Sequence, residues 1–208
     1  MSSKKILILF FHPRFEDSKV NAKLVEGVKQ LNGVTFRDMY ELYPDFNINI
    51  KAEQALLLEH DIIIWHHPFY WYNCPPLMKQ WLDLVLEYGW AYGSNGKMLS
   101  GKWVMNVISS GGNFNVYQAD GKNRFTHRAF LNSFEQTAQL CQMVYLPPFI
   151  VAGANKLLPN DIEEYMIQYA QILHFLMHEP VDIDKLAAVD HFNQINAEQW
   201  ERQFYKTP

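Results

Sequence analysis

The segment that most constrains what this chain can fold into is Ile6 to Phe11, six apolar residues in a row between Lys4-Lys5 and His12-Pro13. A strand with one wet face alternates apolar and polar residues, so an unbroken run of this length reads as a strand buried on both faces of a parallel sheet. Parallel neighbours need a long crossover, usually a helix. One comes directly after it: Val20, Leu24, Val28 and Leu31 recur at helical spacing after Ser18, and Asn32-Gly33 stops them. Val34 to Tyr40 reads as a second strand, Ala52 to Glu59 as a short helix and Asp61 to His66 as a third strand. Pro75-Pro76 opens a helix with Leu77, Trp81, Leu84, Val85 and Tyr88 on one face. Lys102 to Ser109 is the fourth strand, and Phe130, Phe134, Ala138 and Cys141 mark the helix after it. Val144 to Ala152 is expected as the fifth strand despite Pro147-Pro148, and Asp161-x-x-Glu164 resembles a capping box before a helix carrying Ile162, Tyr165, Tyr169, Ile172 and Leu176. This alternation predicts an α/β fold with a doubly wound parallel sheet, whose ligands sit beyond the carboxyl ends of the strands. Residues 1–178 make up that domain, and 179–208 read as a polar, aromatic-dotted tail of it.

Composition removes several function classes. At 208 residues the chain fits one compact unit. It is 49% apolar with a formal charge of −4, which excludes disorder, and 18 basic against 22 acidic residues leave no positive field for general nucleic-acid binding. Cys74 and Cys141 cannot build a disulfide framework, so a cytoplasmic setting is the simplest expectation. The apolar run after Lys4-Lys5 is too short for a signal peptide, and nothing approaches the ~20 residues of a membrane span. No metal site is expected. His66 and His67 are neighbours on a strand and point to opposite faces, and His174 and His178 share a helix face without a third ligand nearby. Cys74 has no basic neighbour in sequence and reads as packing.

Neither common nucleotide motif is present. No Gly-x-Gly-x-x-Gly follows the first strand, and no Gly-Lys pair precedes Ser or Thr. The first strand ends instead in His12-Pro13, and its helix opens at Ser18-Lys19-Val20-Asn21. Free backbone N–H groups with Ser and Asn side chains there could hold a phosphate, against the plainer reading of Ser18 as an N-cap. Phe69, Tyr70, Trp71 and Tyr72 follow the third strand, four consecutive aromatics that suit a flat ligand or a partner subunit. Ser109-Ser110-Gly111-Gly112 closes the fourth strand, where glycine lets backbone approach a planar ring. Residues 65 to 92 hold nine aromatics, well above the 15% average of the chain.

His12-Pro13, Ser18-x-x-Asn21, His67-Pro68-x-x-Trp71-Tyr72-x-x-Pro75-Pro76-x-x-Lys79-x-Trp81, Gly89-Trp90-Ala91-Tyr92-Gly93 and Gly111-Gly112 together resemble the flavodoxin-like NAD(P)H:quinone oxidoreductases. The likeness runs in order from about residue 4 to Phe149. Through Tyr40 to Ile48 and Leu146 to Phe149 it is similar to the ancillary proteins of glutathione-gated potassium-efflux systems. The resemblance implies a five-stranded sheet ordered 2-1-3-4-5 and a bound flavin, FMN with FAD as the alternative. His12, Ser18, Lys19, Val20 and Asn21 would take its phosphate and ribityl chain, Phe69, Tyr70, Trp71 and Tyr72 its ring, and Ser109, Ser110, Gly111 and Gly112 the ring's other polar edge. Tyr117 falls at the family's catalytic tyrosine. The histidine that assists it six residues later is Asn123 here, and His127 stands four residues beyond, where spacing alone does not place it in the pocket. Trp90 and Tyr92 fall in the substrate-facing segment, which in a homodimer often reaches the neighbouring site.

The implied reaction is a two-electron ping-pong hydride transfer from NAD(P)H through the flavin to a quinone, with cofactor and co-substrate carrying the chemistry. A second reading makes the chain a regulatory ancillary subunit that activates a potassium-efflux antiporter, peripheral on the inner face of the cell membrane. A third, a one-electron flavodoxin-type carrier, fits a net charge of −4 poorly, because such carriers dock through strong charge.

Overall fold

The computed structural model describes residues 3–195 and 204. In chain order the elements are β1 Ile6–Phe10, α1 Lys19–Val28, β2 Val34–Asp38, α2 Met39–Leu42, α3 Ile50–Glu59, β3 Ile62–Pro68, α4 Pro76–Val85, β4 Trp103–Ser110, α5 His127–Phe130, α6 Asn132–Leu140, β5 Val144–Tyr145, β6 Phe149–Ala152, α7 Pro159–His178 and α8 Ile183–Ala187. The sheet is parallel with order β2-β1-β3-β4-β5, and β6 also pairs with β4.

Every residue of β1 is fully buried, and its side chains alternate between two cores. Leu7 and Leu9, with Ile63 and Trp65 of β3, face Leu57 of α3, Trp81 of α4 and Phe134 of α6. Ile6 and Ile8, with Ile62 and Ile64, face Leu24 and Val28 of α1 and Tyr169, Ile172 and Leu176 of α7. Helices on both faces are what a strand without polar positions requires. Register then sets the site, because Phe10 lies beside Asp38 and His66, and Pro68 beside Ser109, which brings the loops after β1, β3 and β4 to one edge.

Three expectations need correction. The fifth strand is two pieces: Val144–Tyr145 pairs with the start of β4 and Phe149–Ala152 with its end, because Pro147 and Pro148 have no N–H for the ladder between them. On α4, Leu77, Trp81 and Val85 are buried, but Leu84 is exposed and Tyr88 lies three residues past the helix end with 71% of its surface in solvent. The buried stripe instead includes Met78 and Leu82. On α7, Asp161 does not cap the helix from outside; it sits in the first turn and its carboxylate accepts the Leu158 N–H at 2.9 Å. The tail, polar and aromatic-dotted in sequence, carries α8 and a 3-10 turn at Phe192–Gln194, and buries Val181, Leu186, Phe192, Ile195 and Phe204 in the α7-side core.

Glu53, unremarked in the sequence, is a structural node. Its buried carboxylate accepts from Arg37 Nη2 at 2.7 Å, Tyr43 Oη at 2.8 Å and Trp81 Nε1 at 3.0 Å, tying β2, the end of α2 and α4 together. A buried carboxylate is tolerable when its oxygens are satisfied in this way.

Candidate active site

A cavity of about 500 Å³ opens at the carboxyl ends of β1, β3 and β4. Of the residues nominated from sequence, His12, Ser18, Lys19, Val20, Asn21, Phe69, Tyr70, Ser109 and Gly111 line it. Arg14, Asp17, Pro68, Ala154, Asn155, Leu157 and Ile162 complete the wall. Nothing local in sequence marks Ala154 to Leu157; they arrive because β6 pairs with β4 and Ala154 N–H reaches Ser110 O at 2.9 Å. A Cβ on Gly111 would come within 2.9 Å of Asn155 Nδ2, so the glycine lets this loop close against β4.

The polar end is built around Asn21. Its backbone N–H and its Nδ2 both donate to Ser18 Oγ, at 3.2 and 2.8 Å, and Nδ2 also reaches Ser109 Oγ at 3.0 Å. Its Oδ1 lies 3.1 Å from His66 Nε2, and since an amide oxygen can only accept, His66 carries its proton on Nε2. Burial holds His66 well below the usual imidazole range, and therefore neutral. Ser18 is thus an N-cap as the plainer reading has it, but that bond uses only the third N–H of the helix. The Lys19 and Val20 N–H groups, first in α1, have no acceptor among the described residues and lie on the cavity wall. Two such donors at a helix start suit an oxyanion. His12 Nδ1 accepts the Arg14 N–H at 3.2 Å, and burial lowers this histidine too, leaving Nε2–H as its donor. Arg14 pairs with Asp17 at the exposed rim.

The aromatic end is differently made. Tyr70 and Asn73 form a bridge, with Asn73 N–H on Tyr70 O at 2.9 Å, and between them Trp71 and Tyr72 have φ of 49° and 62°. Two successive left-handed residues define a type I′ turn, here carried by bulky side chains instead of Asn-Gly. The turn divides the four aromatics. Tyr70 meets the edge of His12 at 6.2 Å between ring centres, Phe69 turns inward to Tyr117, Phe130 and His127 at 5.8 Å each, and Tyr72 stacks on Phe130 at 5.1 Å. Trp71 stands 93% exposed.

Tyr117, Trp71, Tyr72, Ser110, Gly112, Trp90 and Tyr92 do not line the cavity. Trp90 and Tyr92 are half-buried on the loop after α4, where Tyr92 meets the ring of Tyr88 at 5.7 Å. Tyr117 is buried behind Phe69 at the end of a 3-10 turn, Phe114–Val116, and burial raises its phenol, which stays a proton donor. Gly112 is where that turn closes, since a Cβ there would sit 2.8 Å from Val116 Cγ2 and 2.9 Å from Tyr117 Cε2.

His127, which sequence spacing left unplaced, lies against Tyr117 with ring centres 3.8 Å apart, and its Nε2 is 2.9 Å from Ser110 Oγ. The Ser110 hydroxyl has one proton and gives it to Gly112 O at 2.9 Å, so His127 Nε2 is the donor to Ser110. Burial pushes His127 down to about 4. Asn123 meets the Tyr72 hydroxyl at 3.4 Å.

A parallel sheet ordered 2-1-3-4-5 with its cavity at the switch between β1 and β3 defines the doubly wound class that holds ligands outside the strand ends. Residues 4–173 match the flavodoxin-like fold family, and the chain belongs to it. The glutathione-regulated potassium-efflux system ancillary protein KefG of Pectobacterium atrosepticum is 44% identical over 169 residues, 81% of this chain and 92% of that protein. General stress protein 14 from Treponema denticola, solved in complex with FMN, is 39% identical with a TM-score of 0.78, covering 83% of this chain and 99% of its own. An NADPH-quinone reductase from P. pentosaceus is 31% identical with a TM-score of 0.75, over 81% and 97%. Among the described residues no helix is long and apolar enough to cross a membrane, and no three metal-ligating side chains cluster.

Proposed function

We propose that this chain is a flavin-dependent NAD(P)H:quinone oxidoreductase that takes FMN as cofactor. The observation that carries the reading is the cavity itself. Two helix N–H groups without an acceptor among the described residues, at Lys19 and Val20, stand on one part of its wall, and Tyr70, Phe69 and the Gly111 backbone on another. The first suits a phosphate and the second a planar ring. Its FMN-bound and quinone-reductase relatives support the same assignment.

When bound, the flavin supplies two-electron hydride chemistry between the nicotinamide and the quinone. The protein's part is to hold and bias it. Lys19 and Val20 N–H, with His12 Nε2–H, would bind the phosphate end. Ser109 and Gly111 would border the ring's polar edge. The Tyr117 phenol, kept protonated by burial and backed by neutral His127, would donate towards negative charge from behind Phe69. Exposed Trp71, with Trp90 and Tyr92, would complete the substrate face in a homodimer.

Titration of the flavin-free protein with FMN and FAD, then NADH or NADPH oxidation with a quinone acceptor, tests this. FMN binding with quinone-dependent turnover is the expected result; absence of flavin binding overturns it. The likeness to KefG favours a second role as an ancillary subunit of a potassium-efflux antiporter. Co-purification with such a transporter, and activation that survives Tyr117→Phe, would support that role, whereas no association would remove it.

A further inference from the structure

The family match ends at residue 173, and the chain beyond it grips two elements next to the site. The first grip is on β6, the outermost strand beside β4's carboxyl end. Asn193 Oδ1 accepts the Ile150 N–H at 2.9 Å and its Nδ2 donates to Ile150 O at 3.0 Å, so one side-chain amide acts as a strand partner. Phe192 N–H adds a bond to Pro148 O at 2.9 Å. The second grip is a ring contact: His191 lies flat on Phe114, centres 4.9 Å apart and planes 16° from parallel. Phe114 opens the turn that ends in Tyr117, whose N–H bonds to Phe114 O at 3.0 Å. The edge of Phe114 meets His127 at 5.5 Å, and His127 lies against Tyr117. Four rings therefore run in series from the tail to Tyr117.

We propose that His191, anchored by Asn193 on β6, is a positioning residue that fixes the Phe114–Tyr117 turn and so the orientation of the Tyr117 ring. The proposal deepens the flavin reading and rests on Tyr117 serving the site. The Phe114–Val116 turn is a single 3-10 turn with no side-chain cap, and such a turn keeps one conformation only when its surroundings hold it. On one side it is held by half-buried Gly112 and buried His127, and the Asn123 N–H bonds to Val116 O at 2.9 Å. The other side is covered by the tail.

The test uses the full-length protein carrying 3-fluorotyrosine at position 117, read by fluorine NMR without flavin and then titrated with FMN. His191→Ala should shift or broaden the Tyr117 resonance and weaken FMN binding about two- to tenfold, the range one aromatic pair corresponds to. His191→Phe, which keeps a flat ring, should restore both, and His191→Leu should behave as the alanine variant does if that one folds poorly. Asn193→Ala should move the resonance in the same direction. An unchanged Tyr117 resonance in His191→Ala or His191→Leu overturns the proposal, even where the melting temperature falls, because the tail would then support the fold alone. A resonance that responds in a protein whose parent binds no FMN upholds the positioning and overturns the flavin reading instead.

Discussion

The two ends of the cavity are built on opposite principles. At the Ser18–Asn21 end buried Asn21 bonds to half-buried Ser18 and to buried Ser109 and His66, so the donors facing the cavity are held before any ligand arrives. At the Phe69–Tyr72 end the groups are aromatic, the backbone turns through two left-handed residues, and the largest side chain stands in solvent. Left-handed non-glycine residues cost about 1–2 kcal/mol each, so this turn persists against local preference. Pre-organisation suits a phosphate, whose shape is fixed. A strained aromatic turn suits a face that must meet changing substrates or a second subunit.

The largest expected effect comes from histidines buried behind both ends, His66 against Asn21 and His127 against Tyr117. His66, His67 and His127 are neutral in the fold because burial lowers them, His67 and His127 to about 4. The unfolded chain protonates them near 6.5, so below that pH it takes up protons the fold refuses, and stability falls as pH falls. Each histidine contributes a loss of about 1.4 kcal/mol per pH unit. Urea unfolding should show full stability above pH 6.5 and a steep decline to about pH 4; a flat profile would mean that these histidines are not held neutral.

Asn21→Leu comes next. It strands Ser18, Ser109 and His66 together and should cost about 3 kcal/mol, with FMN affinity lost in parallel. A loss under about 1 kcal/mol in urea unfolding would break the contrast between the two ends. Trp71 tests the other end. Trp71→Ala should stay within about 0.5 kcal/mol of the parent while quinone KM rises, and Trp71→Gly should be more stable than the alanine variant by about 0.5–1 kcal/mol through relief of the positive φ. Equal stability of the two would show that the turn is not strained. The smallest effect belongs to Cys74, whose thiol burial pushes up to about 11. Iodoacetamide at pH 8 should label it about a hundredfold more slowly than a free cysteine, and Cys74→Ser should leave turnover unchanged.

Much of the architecture was legible because it arises from short-range pattern. The unbroken run at Ile6 to Phe11 required a strand covered on both faces, and helical spacing after Ser18 supplied the crossover. The errors fell where a local pattern was satisfied in more than one way. Prolines broke the fifth strand without ending its place in the sheet, and the apolar stripe of α4 ran one turn short of Tyr88. On the cavity wall, His12 and Ser18 to Asn21 could be read from a strand end followed by a capped helix. Arg14 and Asn155 could not, because neither belongs to a spacing that a single strand-helix unit defines.

The sequence by itself determined the class of sheet, the two halves of the cavity and the kinds of group each would present, because hydrophobic period and loop chemistry are local properties. Only the tertiary structure decided which of those groups meet. It turned Phe69 inward and Trp71 outward within one turn, placed His127 against Tyr117 where spacing was silent, bonded Asn21 to partners 45 and 88 residues away, and set the tail's His191 on Phe114. These are long-range contacts fixed by strand register and by which buried polar atoms remain to be satisfied, and a linear pattern carries neither.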